Sequence, residues 1–215
     1  MMADNPEATS ADLAGLRGVA LLDALDRTEA VDASALDVNA VADAIDPREL
    51  GRSDMNRLLK ALVRLSEEVP AFSLDKVDPT KFATLVARAS RAQLEAVVAE
   101  RPLRERVLDE IFARMGAHIR AKSLRAVVHW RLSGGTGEGG YDRYETVLSD
   151  GTCTVSREMR EKPRVTITLS PVDFFRIITH QATPAVLFVT GKLKVKGDLA
   201  FAAGLVGHFD LPRPA

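Results

Sequence analysis

The sequence predicts an α+β protein: an all-α N-terminal region over residues 1–104, then a domain over residues 105–215 in which a five-stranded sheet is covered by helices. Three observations carry this. Apolar residues recur at helical spacing from Ala11 to about His118. After Ser123 the period shortens to two, the alternation of half-buried strands. From Pro171 onward short apolar helices surround one further strand, which gathers the helices on one side of the sheet.

In the N-terminal region, the first eight or so residues read as a frayed tail, and Leu13, Leu16, Ala20, Leu21 and Leu25 then form a helical stripe. Ser34 offers an N-cap for a helix carrying Leu36, Val38, Val41 and Ile45. Asp46-Pro47 restarts the chain, with aspartate as cap and proline where its missing N–H costs nothing. Ser53 precedes a strongly amphipathic segment with Met55, Leu58, Leu59, Leu62, Val63 and Leu65 on one face, stopped by Pro70. Asp78-Pro79 opens a helix through Phe82, Leu85 and Val86, Ser90 caps another, and Pro102 begins a long one ending near His118. AIDPREL and KVDPTKF repeat one device 32 residues apart, read here as a common helix opener used twice rather than a duplication.

In the C-terminal region, AVVHWRL (126–132) reads as a strand, and YDRYETVLSDGTCTVSRE reads as two strands about the hairpin signal Asp150-Gly151. RVTITLS alternates Val165, Ile167 and Leu169 against threonines, giving a fourth strand. PVDFFRIITHQ and PAVLFVTG read as helices, KLKVKGD as the fifth strand, and LAFAAGLVGHF as the closing helix.

Composition narrows the function classes. The 215 residues are 46% hydrophobic and 27% charged, a globular rather than a disordered balance. No window approaches the ~20 uninterrupted apolar residues of a membrane span, and the opening MMADNPEATS lacks the form of a signal peptide. The single cysteine, Cys153, forms no internal disulfide and is expected to be a small strand residue, which suits a reducing cytoplasm. The net charge of -1 hides an asymmetry: residues 1–110 hold 14 Lys and Arg against 21 Asp and Glu, a difference of −7, whereas the remainder holds 15 against 9, a difference of +6. A basic unit docking on an acidic one, a basic unit approaching an anionic surface, and two ordinary solvated surfaces all fit this.

Nothing points to catalysis or to a metal. Gly135, Gly137 and Gly140 satisfy G-x-G-x-x-G, but the loop leads from strand to strand, so no helix N-terminus is present to receive a pyrophosphate. His118, His129, His180 and His208 show no metal-ligand spacing, and neither a nucleophile elbow nor a Walker loop is found. No catalytic residue, metal, cofactor or nucleic-acid partner is therefore expected. Five of the eight phenylalanines, Phe174, Phe175, Phe188, Phe201 and Phe209, fall after residue 172 in helices apolar beyond a single stripe. These helices either form a solid core, or leave room beside Ala202, Ala203, Gly204 and Gly207 for an apolar ligand.

Residues 173–205, DFFRIITHQATPAVLFVTGKLKVKGDLAFAAGL, resemble the sterol carrier protein type 2 family of non-specific lipid-transfer domains. Gly191, Lys192, Leu193, Lys194, Val195, Gly197 and Asp198 follow the family's Gly-Lys-Leu-Lys-(Ile/Val)-x-Gly-(Asn/Asp) motif, and the element order agrees over about residues 105–212. The resemblance implies a sterol-carrier-like sheet covered by helices with an apolar tunnel between them. Its lining on this sequence would be Phe175, Ile178, Leu187 and Phe188, completed by Leu199, Ala202, Leu205, Val206 and Phe209. The chain ends Arg213-Pro214-Ala215 rather than in the peroxisomal tripeptide of many eukaryotic members, and residues 1–104 lie outside the resemblance. The function implied is non-enzymatic binding and transfer of a sterol, fatty acyl chain or phospholipid in the cytoplasm. The alternatives are a solid-cored interaction module and an accessory domain presenting hydrophobic substrates to an enzyme. Lys192, Lys194 and Lys196 suit either transient contact with an anionic membrane surface or protection of an edge strand, and the N-terminal helices suit homo-oligomerisation.

Overall fold

The computed structural model describes residues 15–28, 37–69, 76–117 and 124–215. The chain divides into two compact units, Met1–Val107 with Pro214–Ala215, and Leu108–Arg213.

The first unit is helical: α1 (Gly18–Arg27), α2 (Val38–Ala44), a 3-10 turn (Pro47–Glu49), α3 (Arg52–Glu68), α4 (Pro79–Arg88), α5 (Arg91–Ala99) and the first part of α6 (Arg101–Ala117). In α3, Met55, Leu58, Leu59 and Leu65 are buried, and Ala61 joins them, while Leu62 and Val63 are only half-buried. Arg64 of α3 donates to the carbonyls of Leu25 (2.8 Å) and Thr28 (2.9 Å), satisfying acceptors that the end of α1 leaves open. Ser34, Leu36, Leu13 and Pro70, to which the sequence assigned a cap, apolar positions and a stop, lie outside the described residues. The described α2 is capped by Asp37, whose carboxylate accepts from the Asn39 N–H at 2.9 Å. α3 begins one residue before Ser53, with Gly51 at its N-cap and no side-chain cap. Ser90 and Gln93 cap α5 reciprocally, as the serine promised. The two Asp-Pro devices part company: Asp78-Pro79 opens ten residues of α4, whereas Asp46-Pro47 opens a three-residue turn. Arg48 donates to the Asp46 carboxylate, with Arg88 nearby, and this holds its pKa down to about 2.

The second unit is α+β, its sheet made of β1 (Ala126–Ser133), β2 (Tyr141–Ser149), β3 (Thr152–Ser156), β4 (Val165–Leu169) and β5 (Lys194–Gly197) in the order β3-β2-β1-β4-β5. All neighbours are antiparallel except β1 and β4, which run parallel with Val128 opposite Val165 and Leu132 opposite Leu169. The β2–β3 turn has positive φ at both Asp150 (50°) and Gly151 (83°), the type I′ geometry that the right-handed strand twist favours. The glycine loop joins β1 to β2 as expected: the N–H groups of Gly134 and Gly135 both donate to the Gly140 carbonyl at 3.0 Å. A side chain at Gly135 would stand 2.1 Å from the Asp142 nitrogen, so the glycines serve the turn.

One face of the sheet is apolar. Val128, Trp130, Leu132, Tyr144, Leu148, Val165, Ile167 and Leu169 all point to it and are buried. The later part of α6, α7 (Pro171–Ile178), α8 (Pro184–Val189) and α9 (Leu199–Gly204) complete the unit. Phe112 of α6 is the centre of its aromatic core: it stacks on Tyr144 (4.0 Å between centroids) and on Phe174 (5.1 Å), and meets Trp130 edge-on (5.7 Å). The Tyr144 hydroxyl donates to Asp109 at 2.8 Å and Arg157 lies over its ring, while burial raises the phenol pKa. The expected closing helix is broken: α9 stops at Gly204 and Leu205–His208 is a 3-10 turn, because Gly204 and Gly207 weaken α-helical continuation.

Cys153 is half-buried on β3, and burial pushes its thiol up to about 11. Since only the thiolate reacts, its alkylation by iodoacetamide near pH 7 should be on the order of 100-fold slower than that of an ordinary thiol, accelerating toward alkaline pH. Labelling at the rate of free cysteine would show an exposed β3 edge instead.

Candidate lipid-binding cavity

A cavity of about 380 Å³ lies between the apolar sheet face and the helices of the second unit. Strand parity builds its floor: Trp130, Ile167, Leu169 and Val195 stand on three neighbouring strands, β1, β4 and β5. Phe174 and Ile177, one helical turn apart, line it from α7. Pro184, Ala185, Phe188 and Val189 line it from α8, and Leu199, Ala202 and Ala203 from α9, with Leu205 and Val206 following. Thr183 and Leu193 complete the wall. The lining contains no charged side chain, and the Trp130 indole N–H is already engaged by the Thr146 hydroxyl at 3.1 Å. An apolar body can therefore enter without stranding a polar group, whereas a charged headgroup inside would lose its water without gaining a partner.

Five of the nine residues implied by the resemblance line this cavity: Phe188, Leu199, Ala202, Leu205 and Val206. Four do not. Phe175 and Ile178 are buried on a different stripe of α7, one residue on from Phe174 and Ile177. Leu187 is the buried residue of α8, between the lining positions 184–185 and 188–189. Phe209 is buried beyond the 3-10 turn, where its N–H donates to Val206. The sheet floor was missing from the expected lining, although the Val165, Ile167, Leu169 alternation identified an apolar face.

The Gly191–Asp198 motif is a structural frame for one side of the cavity. Gly191 turns the chain out of α8 with φ 73°. At Gly197 φ is 110° and a Cβ would stand 2.4 Å from the Arg164 carbonyl, so both conformation and space exclude a side chain. Asp198 then caps α9, accepting from the Phe201 N–H at 2.8 Å, and pairs with Arg164; the Phe201 N–H first and the Arg164 guanidinium second hold its carboxyl below the usual carboxylate range. The lysines of the motif are exposed, while Leu193 is buried and Val195 half-buried. Among the described residues no cluster of His, Cys, Asp or Glu is arranged to hold a metal, and no helix is long and apolar enough to cross a membrane.

Residues 108–210 match the SCP-2 sterol transfer family. The chain is similar to sterol carrier protein 2 from Yarrowia lipolytica at 28% identity, over 38% of this chain and 64% of that one, with a TM-score of 0.31. It is also similar to sterol carrier protein 2 like 2 from Aedes aegypti (22% identity, 48% and 93% of the two chains, TM-score 0.37). A third similarity, to the sec-alkylsulfatase Pisa1 from Pseudomonas sp., has 14% identity over 86% of this chain and 33% of that one, with a TM-score of 0.43. The match thus spans less than two thirds of the Yarrowia protein and about a third of the alkylsulfatase. No curated protein matches the chain.

Proposed function

We propose that the C-terminal region, from about residue 105 to 215, whose residues 108–210 match the SCP-2 sterol transfer family, is a non-enzymatic carrier that takes up a hydrophobic ligand into the cavity between sheet and helices. The observation that carries the reading is the lining itself: wholly uncharged, with Thr183 the one hydroxyl, and without a convergent acid, base or nucleophile. Each methylene removed from water contributes ~0.8 kcal/mol, so binding needs no charged anchor, and discrimination between chains differing by one methylene is weak. At about 380 Å³ the cavity sits at the small end of the ~300–1,000 Å³ range of ligand pockets. That size favours one acyl chain or a compact ring system over both chains of a phospholipid. Phe188, Leu199, Ala202, Leu205 and Val206 are the contacts we assign from the expected set, and the lone half-buried cysteine suits work in a reducing cytoplasm.

Native mass spectrometry with solvent extraction of freshly purified protein tests this. A co-purifying lipid is expected, and it should be lost in Phe188→Asp with the circular dichroism spectrum unchanged, since Phe188 is 42% exposed and its replacement leaves the core intact. A parent protein that yields no lipid and binds no fluorescent fatty acid would refute the carrier reading and favour a solid-cored interaction module.

A further inference from the structure

The sheet face turned away from the cavity carries a row of like charges. Arg131 on β1 stands directly opposite Arg143 on β2 and Thr168 on β4, and Thr168 stands opposite Lys194 on β5. Four neighbouring strands thus present one continuous row, Arg143–Arg131–Thr168–Lys194, about 14 Å long at the ~4.8 Å strand spacing. Lys196 lies beside it in the next row, opposite Thr166. Like charges directly opposite each other destabilise a sheet, so folding gives no reason to set Arg131 against Arg143. Edge protection accounts for lysines on β5, but β1 and β2 are interior strands. The nearest carboxylate in the sheet is already committed: Glu145 is buried, lies 3.1 Å from the His129 Nε2 and accepts from the Glu161 N–H at 2.9 Å. Arg143 meets Glu138 of the glycine loop, whereas Arg131, Lys194 and Lys196 are exposed and have no ion pair among the described residues.

We propose that this row docks an acidic segment of a partner protein: an extended stretch with Asp or Glu at alternate positions lies across the strands and pairs with Arg143, Arg131 and Lys194. The spacing supports this. Alternate side chains of an extended chain are ~6.7 Å apart, so three carboxylates span about 13 Å, the length of the row. The Arg131 guanidinium can grip one of them through two parallel hydrogen bonds. Other polyanions fit less well. Single-stranded nucleic acid is held by aromatic rings that stack its bases, and the one aromatic ring these strands turn to this face is Tyr141, half-buried at the end of β2. A bilayer is held by apolar side chains that insert, and the exposed large hydrophobics among the described residues all lie on helices. Trp130, Ile167 and Val195, which alternate with the residues of this face, floor the cavity from the other side. A segment docked here therefore leaves the helices around the cavity uncovered.

Anisotropy titrations of the full-length protein with a fluorescein-labelled peptide of alternating glutamate and threonine test this, beside the same peptide with glutamine for glutamate. The glutamate peptide should bind, more weakly as salt is raised, and the glutamine peptide should not. An exposed ion pair is worth up to about fivefold, so Arg131→Gln combined with Lys194→Gln should weaken binding by on the order of 10-fold. Arg131→Gln alone should unfold at an equal or higher urea midpoint, because it relieves the opposition to Arg143, and this separates lost binding from a lost fold. Equal binding of the two peptides, or unchanged binding in the double variant, overturns the proposal. A glutamate peptide that fails to bind overturns it as well. Oligothymidylate or phosphatidylglycerol vesicles bound in its place, and released by the double variant, would then assign the row to nucleic acid or to lipid.

Discussion

Replacing Phe112 with alanine is expected to cost about 3–5 kcal/mol of the stability of the C-terminal unit. Phe112 is fully buried and packs against three other aromatic rings, two stacked and one edge-on. Truncation removes its own transfer energy and leaves a cavity bounded by Tyr144, Trp130 and Phe174, which a sheet and a helix hold in place and cannot easily close. Aromatic pairs add ~0.5–1.5 kcal/mol each beyond burial, so the upper part of the range is the better expectation. Against a whole-domain stability of ~5–15 kcal/mol, that approaches unfolding. Trp130 is the chain's single tryptophan and touches Phe112, so its fluorescence during urea denaturation reports this unit and not the helical one. Phe112→Leu, which keeps most of the volume, should cost less than half as much. Equal midpoints for parent and Phe112→Ala would show that the aromatic cluster is not the keystone of the domain.

Much of the architecture was legible because the signals were local. Asp150-Gly151 specifies its own turn, Ser90 its own cap, and the alternation in RVTITLS its own strand. Strand order and the parallel β1–β4 pairing are different: they depend on contacts about forty residues apart, for which single-strand periodicity holds no information. The same distinction runs through the cavity. In FFRII both the 174/177 pair and the 175/178 pair are apolar and buried, so helical spacing shows two stripes without telling which one faces the sheet floor. On α8, burial and cavity lining part company, since the buried Leu187 is outside the lining and the exposed Phe188 and Val189 are in it. The floor was recoverable. Even-numbered positions of β1 and odd-numbered positions of β4 form one apolar face, and any cavity under helices gathered on that face must be floored by them.

Ala202→Phe should separate an open cavity from a filled one. Ala202 lies on α9 with its methyl against the lining, and a phenyl ring built there projects into the space that the ligand would occupy. It would displace about four methylenes of ligand, at ~0.8 kcal/mol each, so affinity for a fluorescent fatty acid should fall by on the order of 100-fold. The stability change discriminates further. Where the ring enters real empty space, Trp130-monitored unfolding should shift by no more than about 1 kcal/mol, and cavity filling favours the stabilising direction. Where the space is occupied by mobile side chains, overpacking should cost about 1–3 kcal/mol. Loss of ligand with stability retained would place the bound molecule against α9 and the β1–β4–β5 floor. Retained affinity with retained stability would put the ligand elsewhere, on the exposed rim of α8 rather than inside, and the domain would then hold lipid at its surface.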